Sequence, residues 1–165
     1  MLDDQSFIAV YDEYAQRIFK YCYFRVNSKE DAEDLASLVF TRVWDYISAG
    51  NKIDSIRAFL YQVAHNLIID HYRKNKEARE VSLDNPDNPI DIPEESDFIQ
   101  DVDQKGMVND IRKKLHQLPD NYREAIILRY INDLSIKEVA QAMDITENNA
   151  SVILHRAVEK LKSMV

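Results

Sequence analysis

Three groups of side chains in this sequence have types and spacings that suit chemistry. After Thr146, the residues Asn148, Asn149, Ser151, Val152 and His155 fall on the outward side of one helix. Amide, hydroxyl and imidazole groups presented that way can face base edges in a DNA major groove. A second group, Arg57, Tyr61, His65, Asn66, Ile69, Tyr72, Arg73 and Lys74, shares the outer face of another helix. Aromatic rings there stack on unpaired bases, cations hold phosphates, and the planar amide of Asn66 both donates and accepts toward a base edge. The third group is DAEDLASLVFTRVW, Asp31 to Trp44, where Phe40 and Trp44 stand four residues apart on a face beyond the core stripe. Large apolar groups so placed suit a docked partner.

Each group also has a plainer reading. The first is equally a helical hairpin that binds nothing or binds protein; in the second, Tyr61 and Tyr72 pack against the first helix while the charges are solvated. Phe40 and Trp44 are equally core residues. Enzyme chemistry has less support. His65, His71, His116 and His155 are scattered, and none pairs with another or with Cys22 at a zinc-site spacing. Two glycines, Gly50 and Gly106, cannot build a phosphate-cradling loop or a dinucleotide fingerprint. No catalytic residue, metal site or cofactor is expected, and no small-molecule substrate.

The elements that position these groups are all helices, because apolar residues recur at three- and four-residue steps. A first helix starts near Ser6 and carries Phe7, Val10, Tyr11, Tyr14, Ile18 and Cys22 on one face. Ser28 caps a second, with Glu30, Asp31, Glu33 and Asp34 at the positive end of its dipole. That helix is expected to bury Leu35, Leu38, Val39, Val43, Tyr46 and Ile47 before the polar loop SAGNKIDS. A third, from Ile56 to Lys74, buries Ile56, Phe59, Leu60, Val63, Ala64, Leu67 and Ile68. Further on, Val108, Ile111, Leu115 and Leu118 form a stripe that ends before Pro119. A helix with Tyr122, Ala125, Ile126, Arg129 and Tyr130 follows, then a turn at Asn132-Asp133. Ser135 and Glu138 make a capping box, and Thr146 caps the last helix, with Ala150, Ile153, Leu154, Ala157 and Leu161 inward. A short capped helix, a turn and a longer capped helix form a helix-turn-helix.

The chain has 165 residues and a formal net charge of −8, concentrated in one stretch: residues 81–105 hold eight acidic groups and one basic group. Pro86, Pro89 and Pro93 lie there too, so the segment suits a stiff, extended connection. The fold class is therefore all-α, with two small helical domains, 1–75 and 106–165, joined by an acidic, proline-containing linker over 76–105. A linker this long permits both splayed and packed arrangements. One cysteine fits a reducing compartment, and no apolar run reaches the length of a membrane span, so a cytoplasmic protein without membrane insertion is expected.

In this order the three groups resemble the bacterial RNA polymerase sigma factors of the extracytoplasmic-function (ECF) class, which hold only sigma regions two and four. The strongest stretches are DAEDLASLVFTRVW, FLYQVAHNLIIDHYRK and LPDNYREAIILRYINDLSIKEVAQAMDITENNASVILHRAVEKLK. The resemblance implies a transcription initiation factor that binds core RNA polymerase, directs it to promoter DNA and helps melt the minus-ten region. It places Asp31, Glu33, Asp34, Leu35, Phe40 and Trp44 on the β′ clamp helices, and the loop from Ser48 to Ser55 around a flipped base. Tyr61, His65, Asn66, Arg73 and Lys74 would meet the minus-ten strand. Thr146, Asn148, Asn149, Ser151, Val152, His155 and Arg156 would meet the minus-thirty-five element. An anti-sigma factor is a further partner of such proteins.

This chain departs from the family where several basic residues are common in the last helix. It has Ser151, Val152, Ile153 and Val158 there, and keeps Arg156, Lys160 and Lys162. Fewer phosphate contacts give weaker, less salt-dependent binding and more weight to DNA shape. A reading of another class is a sigma mimic that sequesters an anti-sigma factor without binding DNA; the basic end of the third helix, with Arg73, Lys74, Lys76 and Arg79, argues against it.

Overall fold

The computed structural model describes residues 4–26, 28–82 and 102–164, so most of the expected linker, residues 83–101, lies outside the described residues. The described chain is helical: α1 Asp4–Arg25, α2 Lys29–Ser48, α3 Ile56–Ser82, α4 Val102–His116 and α5 Asp120–Ile126. A π-helical turn, Ile127–Ile131, continues α5, followed by α6 Ile136–Met143 and α7 Glu147–Ser163.

Local chemistry sets most of these ends. The Ser28 hydroxyl accepts the Asp31 amide at 3.2 Å, which starts α2. That helix closes at Gly50, whose φ of 91° is left-handed backbone suited to glycine. Ser55 then accepts the Ala58 amide and opens α3. The capping box is present with both bonds, Glu138 N–H to Ser135 Oγ and Ser135 N–H to Glu138 Oε1. Thr146 accepts the Asn149 amide and starts α7. Helix α3 runs seven residues beyond the domain boundary expected at 75, since HYRKNKEAREVS contains good helix formers and neither glycine nor proline. Likewise α4 begins at Val102, inside the expected linker.

The two halves are packed together. One apolar cluster runs from Ile18, Val39, Leu60 and Ile68 in the first half to Leu115, Ile127, Leu128, Val139 and Leu154 in the second. Helix α3 lies along α6, and α1 touches α4 and the π turn. Some inward expectations need correction. Leu38, Tyr46 and Ile111 are exposed, because the neighbouring helices cover only part of each apolar stripe.

His116, at the end of α4, is pushed down to about 4 by burial, helped by the nearby Arg123 and Arg112 cations and opposed by Asp120. Its Nε2 is buried and makes no hydrogen bond. The unfolded chain, with an ordinary imidazole near 6.5, takes up the proton first as pH falls. This group's contribution is therefore whole above pH 6.5 and is lost as pH drops towards about 4. Thermal denaturation of wild type and His116→Asn across that window should show a shallower acid-side decline in the variant; identical slopes would remove His116 from the effect.

Candidate nucleic-acid and polymerase interfaces

The helix-turn-helix presents its outer face freely. Val139, Ala140 and Leu154 are buried between α6 and α7, with Ile145 and Ile153 packed against them. Asp144 takes a left-handed φ of 56°, which turns the chain sharply enough to cross the helices. Thr146, Asn148, Asn149, Ser151, Val152, His155 and Arg156 are all exposed, as the sequence led us to expect. This surface stands uncovered along the outer side of α7.

The face of α3 is different. Asn66, Arg73 and Lys74 are exposed, and Arg73 is tied to Asp70 at 2.6 Å. Tyr61, expected on the outer face, is instead fully buried. Its ring meets Tyr21 of α1 edge-on at 5.5 Å, so the packing against the first helix holds for this residue. Its hydroxyl donates to Asn132 Oδ1 at 2.9 Å, across the boundary between the halves. Burial raises the Tyr61 phenol above its usual range, which keeps it protonated and donating. His65 is also turned to the second half, its Nδ1 2.5 Å from Glu124 Oε1. The carboxylate only accepts, so the ring carries its proton on Nδ1.

Around Glu124 lies a polar knot that motif reasoning missed. Arg25, wholly buried at the end of α1, donates from Nη1 to the Tyr21 hydroxyl at 2.8 Å and lies 3.3 Å from Glu124 Oε1. Its Nη2 reaches Asp120 at 3.1 Å. Tyr21 in turn donates to Glu124 Oε1 at 2.8 Å. Burial holds the Tyr21 phenol well above its ordinary value, so it remains a donor. Nearby, Arg57 donates to the carbonyls of Asn132 and Asp133 and pairs with Glu138 at 3.4 Å. Arg112 of α4 donates to the Val26 carbonyl at 2.7 Å and lies over the Tyr23 ring. The signal for Arg25 was present: with Ile18 and Cys22 it follows the i, i+4, i+7 apolar stripe of α1.

The π turn serves the same contact. The Asn132 amide bonds the Ile127 carbonyl five residues back, and its side-chain Nδ2 donates to that same oxygen. The wider turn fixes Asn132 with Oδ1 towards Tyr61. Cys22 is buried in α1, its thiol pushed up to about 12 by burial, so it stays protonated and unreactive.

On α2, Glu33 and Asp34 are exposed and Asp31 is half-buried, while Leu35 is buried. Phe40 is not on a free face: it is core, edge-on to Tyr11 at 4.9 Å. Trp44 is half-buried against Phe7 at 4.9 Å. Because α1 supplies Phe7 and Tyr11 opposite them, the second face of α2 is covered by its neighbour. What remains open is a groove of about 230 Å³ between α1 and α2, lined by Tyr11, Phe19, Glu33, Ser37 and Phe40 among others. Among the described residues no cluster of His, Cys, Asp or Glu is arranged to hold a metal, and no helix is long and apolar enough to cross a membrane.

Residues 10–78 match the Sigma-70 region 2 family, and residues 109–161 match the Sigma-70, region 4 family. The chain is 30% identical over 161 residues to the ECF RNA polymerase sigma factor SigM of Bacillus subtilis (strain 168), covering 94% of this chain and 92% of that one. It is 28% identical over 169 aligned positions to SigW of the same organism, covering 99% and 90%. The fold is similar to that of the sigma factor RpoE of Bartonella quintana, solved with the anti-sigma factor NepR, at TM-score 0.76 and 18% identity over 96% of each chain. It also resembles CnrH, solved with the cytosolic domain of CnrY, at TM-score 0.73 and 17% identity over 98% and 88%. Two matched regions in the right order, spanning most of the sequence, place this chain in the sigma-70 family, among the ECF RNA polymerase sigma factors.

Proposed function

We propose a division of labour among the surfaces of this transcription initiation factor. Residues 1–75 form the unit that docks on core polymerase and engages the minus-ten region, 76–105 the linker, and 106–165 the unit that engages the minus-thirty-five element. The observation that carries the reading is the capped α7, whose exposed Asn148, Asn149, Ser151, Val152, His155 and Arg156 face away from the body of the protein. Its N-terminus and polar face suit entry into a major groove.

Polymerase docking is assigned to the α1/α2 side. Asp31, Glu33 and Asp34 supply charge at the N-terminal end of α2, Phe40 lines the groove beside them, and Leu35 and Trp44 pack in support of that helix. Asn66 is the α3 residue best placed to hold a base, being exposed and polar, with Arg73 and Lys74 for phosphates. Tyr61 and His65 become available to the strand once the second half leaves α3. The site works by binding and capture of bases, and no chemical step is assigned to any residue. The cytoplasm, where the polymerase works, is the proposed location, and an anti-sigma factor is a proposed partner.

Transcription in vitro from fragmented genomic DNA of the source organism, with its own core polymerase, tests this directly. Addition of the protein should give new transcripts whose start sites share two spaced upstream motifs; no new transcripts from an otherwise active polymerase would refute it. Within that assay, Asn66→Ala should lower promoter opening by about tenfold, the scale of one good base contact, with core affinity little changed. Equal losses in opening and core binding would remove its role at the base. Glu33→Ala with Asp34→Ala should weaken core binding while helicity by circular dichroism is retained. Phe40→Ala, by contrast, should cost stability of about 3–5 kcal/mol, the range for emptying a buried phenylalanine site.

A further inference from the structure

The open face of α7 is polar apart from one residue. Ala150, Leu154 and Ala157 are buried, and Ile153, Val158 and Leu161 are half-buried. Val152 is the large apolar side chain of α7 that stands exposed. It lies four residues from Asn148 and four from Arg156, so the three share one stripe of the helix, with Ser151 and His155 beside it on the exposed side. Residues 148–154 carry no charged side chain. Single exposed apolar residues are common on protein surfaces, but this one occupies the middle of the face assigned to DNA.

That chemistry selects its complement. Base edges in a major groove present hydrogen-bond donors and acceptors, and their one apolar group is the 5-methyl of thymine. An isopropyl group holds no phosphate and pairs with no base amide; what it does well is take a methyl group out of water. Valine is branched at Cβ and stiff in a helix, so it loses little freedom on contact. Asn148 stands about 6 Å away along the axis, roughly two base-pair steps, which puts its amide near a base close to the same thymine. We propose that Val152 is a specificity-determining residue: between Asn148 and Arg156 on the open side of α7, it takes the 5-methyl group of a thymine in the minus-thirty-five element. The inference rests on the assignment of α7 to that element and adds what the helix reads there, a methyl group as well as hydrogen-bonding edges.

The test uses holoenzyme assembled from core polymerase and the full chain, with fluorescein-labelled promoter duplexes recovered in the transcription assay. Each thymine of the upstream motif, on either strand, is replaced singly by uracil, which removes only the methyl group. Binding followed by anisotropy should weaken by about fourfold at one position, the worth of one buried methyl. Val152→Ala should bind the thymine duplex correspondingly less well and lose the distinction between thymine and uracil there, with helicity by circular dichroism unchanged. The contact is overturned if no uracil weakens the wild type, or if Val152→Ala keeps the same loss at that position. Scrambling the whole upstream motif separates the two levels of the argument. Weaker binding on scrambling without a uracil-sensitive position overturns the Val152 contact alone; unchanged binding on scrambling overturns the assignment of α7 and the contact with it.

Discussion

The structure depends on one buried guanidinium. Arg25 ends α1 inside the protein, where a lone cation would be untenable, and the second half supplies what it needs. Glu124 and Asp120 of α5 face it, and Tyr21 links it to the same Glu124 oxygen. Removing one member of such a group is costly, typically about 3–5 kcal/mol, because the other is left buried and charged. Buried pairs of this kind are often no more stabilising than well-packed apolar residues, but their bonds are met in one arrangement of the halves. A surface of leucines would allow several.

Much of the fold was legible because helix ends are local events. Ser28, the Ser135–Glu138 box and Thr146 each fix a helix start by a bond to an amide three residues on, and each was found where the sequence put it. The helix-turn-helix and its outward residues followed from the same reasoning. The π turn was not legible, since Ile127–Ile131 has the composition of ordinary α-helix and the bonds that close it come from Asn132, just beyond it. Nor was the true length of α3, which passes through a basic stretch that resembled the start of a linker.

Periodicity shows which face of a helix is apolar, but it does not name the neighbour that covers it. This is why Tyr61 and Phe40 were placed outward and found inside. Tyr61 is enclosed by Tyr21 and the second half, and Phe40 by Tyr11. Leu38 and Tyr46 were placed inward and found exposed for the converse reason. The same gap hid the contact between the halves, because a partner about a hundred residues away leaves no local spacing: Tyr21 and Glu124 are 103 positions apart. A charged residue on an otherwise apolar stripe, as at Arg25, is the sequence signal that could have pointed to it.

The central claim is that Arg25 and Glu124 act as one unit that joins the halves, and a double-mutant cycle on stability tests it most directly. Denaturant unfolding of Arg25→Met, Glu124→Gln and the double variant gives the coupling between them. If the two side chains close the protein together, either single change already forfeits the contact, and the double variant loses little more than the worse single. Costs that simply add would mean that Arg25 and Glu124 stabilise the chain independently, and the account of a single knot joining the two halves would be wrong.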